Sequence, residues 1–160
     1  EQHMVRPVDL APESYIAKFM LSAGDSTSTA SVSLGDVHDF ATQSDLSLVD
    51  LGTYSPPDKV ALDPFEFIGV LKHSALVVTD SFHAAVFAIL FHRPFLLVSR
   101  GSMNSRFDTL LDHVALDGRH LVPKMDIHAA LEVDWDSVDT KLAERRSVSW
   151  DFLERSLRSE

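Results

Sequence analysis

Within the run Val77-Val78-Thr79-Asp80-Ser81-Phe82-His83-Ala84-Ala85, apolar residues give way to a carboxylate, a hydroxyl and an imidazole, and then small apolar residues resume. Such a change marks a strand that ends where a helix begins. The first N–H groups of a helix have no intrahelical partner, and with the helix dipole they favour negative charge at that spot. Ser81 or Asp80 can cap this helix, and Ser81 can also donate to a phosphate oxygen. His83 can donate a hydrogen bond to an anion or transfer a proton, because an imidazole titrates near neutrality. A second polar run, Ser99-Arg100-Gly101-Ser102-Met103-Asn104-Ser105-Arg106, ends the next apolar segment. Arg100 and Arg106 can each grip a phosphate or carboxylate through a bidentate fork, with Asn104 as a further polar contact. Anion binding coupled to proton transfer is the chemistry these residues suggest.

Other chemistries find little support. A nucleophilic Ser81 lacks the Gly-x-Ser-x-Gly elbow, and no Gly-x-Gly-x-x-Gly or Gly-Lys-Ser/Thr loop is present for a dinucleotide or nucleoside triphosphate. His73, His92 and His113 show no i, i+4 pairing, and without cysteine thiolate sites are excluded, so no metal is expected. Judged singly, His83 reads as a buried structural histidine, and Asp80 and Ser81 as helix caps. A cap can still touch a ligand. Phe82, Phe87 and Phe91 read as core packing, whereas the smallness of Ala84 and Ala85 would let a ligand approach the backbone of the first turn.

Charge sharpens the picture. The chain of 160 residues carries a formal charge of −10, which argues against nucleic acid as a partner. Between Lys72 and Lys124, however, six basic residues face four acidic ones. A mildly positive island in an acidic protein suits a small anion, although charge counting alone favours ordinary surface arginines. The longest apolar stretch, Ala84 to Phe91, is far short of the ~20 residues that span a bilayer, and the first 24 residues lack the pattern of a signal peptide. The expected compartment is the cytoplasm.

The elements that position these residues alternate. Residues 1 to 12 read as a loose segment, and residues 13 to 160 as one domain. A strand is expected over Tyr15 to Leu21, and a turn over Gly24 to Thr29. A weak helix interrupted by Gly35 follows from Ala30 to Gln43, then a strand from Leu46 to Leu51 and a loop from Gly52 to Asp58. Asp63 and Pro64 are a helix cap and first helical residue. Beyond them come a strand at Ala75 to Val78, a helix from Ser81 to Phe91 and a strand at Phe95 to Val98. A helix from Ser105 to Val114 and a short strand near His120 to Val122 complete the alternation. Two amphipathic helices end the chain, the second carrying Trp150, Phe152, Leu153 and Leu157. This alternation calls for a doubly wound parallel α/β sheet, whose ligands sit at the carboxyl ends of the strands.

These residues also carry a resemblance. Asp63-Pro64-Phe65-Glu66-Phe67-Ile68, Val77 through His83, Pro94-Phe95, Arg106 with Leu110-Leu111, and Arg119 resemble the C-terminal part of the polysaccharide pyruvyl transferase family. Trp135, Leu142, Arg145-Arg146, Ser149 and Phe152-Leu153 resemble its terminal helices. The resemblance implies a Rossmann-like domain, the donor half of a GT-B-type enzyme, which binds phosphoenolpyruvate and needs no cofactor. The acceptor would be a saccharide, lipid-linked or free, whose two hydroxyls become a pyruvate ketal. By this match His83 is the acid or phosphate ligand, Asp80 and Ser81 help hold the donor, and Arg100, Asn104 and Arg106 line the anion site. The family commonly has Gly after this histidine, where Ala84 stands here. It also implies association through an N-terminal domain not represented in this sequence, or between copies. A nucleotide-sugar site and a non-catalytic association domain are the alternatives.

Overall fold

A computed structural model describes residues 10–21, 28–53, 61–99 and 104–158. The expected loose segment up to residue 9, most of the turn at 24–29 and most of the loop at 52–58 lie outside the described residues.

Four strands, β1 (Tyr15–Phe19), β2 (Ser47–Asp50), β3 (Leu76–Thr79) and β4 (Phe95–Leu97), form a parallel sheet in the order β2-β1-β3-β4. A parallel bridge between Leu97 and His120 continues the sheet beyond β4, so the short strand expected after Arg119 shrinks to one contact. The α/β class and its Rossmann-like winding follow directly.

Side-chain alternation along each strand divides the core into two layers. Tyr15, Ala17, Val77, Phe95 and Leu97 point to one face, where they meet α2 (Pro64–His73), α3 (Phe82–Leu90), α4 (Asn104–Val114) and Val138 of α6 (Trp135–Leu157). Ile16, Leu76, Val78 and Leu96 point to the other, against α1 (Ser28–Gln43) and α5 (Ile127–Leu131). The Tyr15 hydroxyl, fully buried, donates to Val70 O at 2.8 Å, so even the largest ring of β1 is satisfied inside the core.

Several local expectations shift. Helix α1 runs unbroken through Gly35. A helical glycine costs about 1 kcal/mol relative to alanine, whereas burying Val37, Phe40 and Ala41 returns about 1.5–3 kcal/mol for each large side chain. Strand β1 stops at Phe19 rather than Leu21, because the Leu21 amide turns out of the ladder to donate to Asp80. Helix α2 starts as expected: Asp63 Oδ1 accepts from Phe65 N and Glu66 N at 2.8 and 2.9 Å, and Glu66 reaches back to Asp63 N at 3.0 Å.

The terminal helix departs most. Its first half packs through Trp135, Val138 and Leu142 on the α2, α3, α4 layer. Its second half holds Val148, Trp150, Phe152, Leu153 and Leu157 outward, with Trp150 66% and Leu157 79% exposed. Among the described residues, no helix is long and apolar enough to cross a membrane.

Candidate functional site

In a sheet of this order the chain leaves β1 toward β2 and then crosses back to β3, so a crevice opens between the carboxyl ends of β1 and β3. Asp80 and Thr79 occupy that crevice. Asp80, 3% exposed, accepts from Leu21 N at 2.6 Å, and the Thr79 hydroxyl donates to Phe19 O at 2.6 Å. A charge-assisted bond this short is among the stronger kinds in proteins. The two strand exits are therefore latched together, and the Asp80 oxygen that meets Leu21 acts inward on the backbone.

Ser81 is the N-cap of α3. Its hydroxyl accepts from Ala84 N at 3.5 Å, and its own N–H donates to Thr79 Oγ1 at 3.0 Å. The cap bond is long, so the hydroxyl only weakly satisfies the helix end. The helix behind it is apolar because Ala84, Ala85, Ala88 and Ile89 bury themselves against the sheet. Ala84 and Ala85, at 1% and 0% exposure, thus let the helix approach the strands rather than a ligand approach the helix. The Ala84 methyl, where the resemblance implies glycine, is likewise turned into the core.

His83 stands in the first turn of α3 and is exposed. Its ring is not sealed in the interior. It meets the Phe82 ring edge-on, with centroids 6.2 Å apart and an interplanar angle of 87°. From the first turn of α4, Arg106 places Cζ 4.8 Å from the centroid of the same ring. Phe107 adds a tilted contact at 6.2 Å from the side of the core. Phe82 is therefore half-buried and shared between core and site, whereas Phe87 and Phe91 stack on one another further along the helix. Neither an ion pair nor a hydrogen bond is found for the Arg106 guanidinium or the His83 ring among the described residues. Arg100 lies outside the described residues, as does the side chain of Asn104.

The site thus brings His83, Ser81 and Arg106 to the amino end of one helix, beside an adjacent strand exit. Sequence reasoning missed the part of Phe82 in it. An aromatic residue in an apolar helix carries no mark that separates a core ring from a platform.

Arg119 serves elsewhere. Only 7% exposed, it donates from Nη1 to Ala130 O at 2.5 Å and from Nη2 to Glu132 O at 3.4 Å, closing the carboxyl end of α5. Burial pushes its guanidinium below its usual range. A separate depression of about 280 Å³ between α1 and α5 is lined by Asp36, Asp39, Lys124 and His128, on the opposite side of the sheet. Its carboxylates do not suit an anion. Among the described residues no group of three or more His, Asp or Glu could hold a metal ion.

Fold and site together define a doubly wound α/β protein with a histidine and a cation at a helix amino end. A family model described as polysaccharide pyruvyl transferase matches residues 7–102, well over half of the chain, and the protein belongs to that family. The matched span takes in β1 through β4 and the run from Asp80 to His83, and stops before Arg106, short of the C-terminal helices that the resemblance includes. No curated protein and no solved structure matches the chain.

Proposed function

We propose that this chain is the donor-binding part of a cytoplasmic transferase that moves a pyruvyl group from phosphoenolpyruvate to a hexose of a cell-surface glycan, forming a pyruvate ketal. Two sugar hydroxyls add to C2 of the enol, the methylene carbon takes one proton to become a methyl group, and the C2–O bond to phosphate breaks. The second hydroxyl proton leaves with phosphate or to water. His83 holds the phosphate and supplies or relays the proton; Arg106 offers a fork to the phosphate or carboxylate. The helix amino end adds fixed positive potential where the leaving group gathers charge. Asp80, Arg100 and Asn104 complete the donor site. The acceptor is held by a partner surface, from an N-terminal domain or a second copy.

The observation that supports this reading most is an exposed imidazole at a helix amino end beside an arginine that no carboxylate among the described residues neutralises. Calorimetric titration of the chain tests it. Phosphoenolpyruvate is expected to bind and to be displaced by inorganic phosphate. Arg106→Ala should weaken it by about tenfold or more, because a hydrogen bond to a charged group contributes about 1.5–3 kcal/mol. Binding of a nucleotide sugar in preference to phosphoenolpyruvate would overturn the proposal, as would the lack of any anion-dependent rise in melting temperature.

A further inference from the structure

Resting on the donor-site reading, we propose that Phe82 is a positioning residue: its ring holds the Arg106 guanidinium at the mouth of the site while leaving that cation free to bind. Arg106 and Phe82 come from different helices, α4 and α3, yet Cζ sits 4.8 Å from the ring centroid. An aromatic face attracts a cation through its quadrupole, and a planar guanidinium stacks on it well. This attachment differs from an ion pair in one respect that matters here. A carboxylate would orient the arginine by occupying its N–H donors, which an incoming anion would then have to displace. A ring contact spends no N–H donor on an oxygen, and among the described residues the Arg106 guanidinium has no hydrogen-bond partner.

The ring is itself held in place. Phe107 is buried and its ring centroid lies 6.2 Å from that of Phe82, so the platform is anchored on the core, and the His83 ring makes a T-shaped contact with it. One side chain thereby sets the relative placement of the imidazole and the guanidinium. Two other cations near the sheet are tied by oxygen, Lys18 to Asp50 at 2.8 Å and Arg93 to Glu13 at 2.7 Å, while Lys72 lies over the Phe91 ring with Nζ 5.8 Å from its centroid. Arg106 sits closer to its ring than Lys72 does.

The test compares Phe82→Leu, Phe82→Met and Phe82→Tyr by calorimetry with phosphoenolpyruvate, alone and combined with Arg106→Ala. Loss of the aromatic face in Phe82→Leu or Phe82→Met should weaken donor binding about three- to tenfold, whereas Phe82→Tyr should restore it to within about twofold. With Arg106→Ala present, Phe82→Leu should add nothing, since the ring then has no cation to place. A Phe82→Leu protein that binds as tightly as the parent overturns the proposal. So does an equal loss in the Arg106→Ala background, which would mark a purely structural ring. A ligand-free measurement separates this proposal from the donor reading. The Arg106 side-chain protons should lie upfield from the ring current in the parent and in Phe82→Tyr, and move downfield in Phe82→Leu and Phe82→Met. If phosphoenolpyruvate does not bind but these shifts behave as stated, the donor reading fails and the placement of Arg106 stands. If the shifts are unchanged by removal of the ring, the placement fails.

Discussion

The two ends of α3 are built from the same residue types and use them in opposite ways. At the carboxyl end, His92 Nε2 lies 3.0 Å from Asp139 Oδ1 and its ring stacks on Trp135 at 5.0 Å, while Arg93 Nη1 donates to Glu13 at 2.7 Å and to Ser74 O at 3.4 Å. Those contacts dock α6 and the approach to β1. At the amino end a histidine, an arginine and an aromatic ring recur as His83, Arg106 and Phe82, and there the ring arranges both polar groups. Polar partners at one end consume hydrogen-bonding capacity for stability; apolar contacts at the other order the same groups and leave that capacity for a ligand.

The sharpest way to break this contrast is to remove each histidine in turn. His83→Ala should lower the rate of phosphate release from phosphoenolpyruvate, with acceptor present, by about 10²–10⁴-fold, the usual range for a lost acid–base group. His92→Ala should leave that rate within about twofold. Equal losses would erase the distinction. A smaller effect concerns a guanidinium whose two terminal nitrogens both serve the fold. Arg119→Met leaves the carbonyls at the end of α5 without their donor. It should cost about 1–3 kcal/mol in denaturant unfolding while donor affinity stays unchanged. The smallest effect belongs to the exposed pair at the far end of α3. Asp139→Asn should change stability by no more than about 0.5 kcal/mol, because both partners remain largely in water.

Much of this is legible in the sequence itself. Asp63-Pro64 announces the start of α2, the Thr79 to His83 run announces the β3–α3 junction, and the alternation of elements requires a parallel sheet. Each of these signals is local, so it survives in the order of residues. What escaped is contact between distant segments. Asp80 looks like a cap or a ligand contact, and its part in latching β1 to β3 shows only when Leu21, 59 residues earlier, brings its amide to the carboxylate. Phe82 looks like core until the first turn of α4 arrives above it. Gly35 looks like a break because its cost is local while the compensating burial of Val37 and Phe40 is tertiary. Amphipathic spacing in α6 indicates an apolar face but cannot say how far along the helix the sheet layer reaches to cover it.

That last feature gives the protein a built-in optical pair. Its two tryptophans, Trp135 and Trp150, lie on one helix. The first is half-buried against the His92 ring and the second stands 66% exposed beyond the packed layer. An indole in water emits at longer wavelength and is reached by a dissolved quencher, whereas one under a neighbouring ring is shielded. Collisional quenching should therefore divide the intrinsic emission into an accessible red fraction and a protected blue one, and whatever settles on the outer turns of α6 would extinguish that difference without touching the signal near α3.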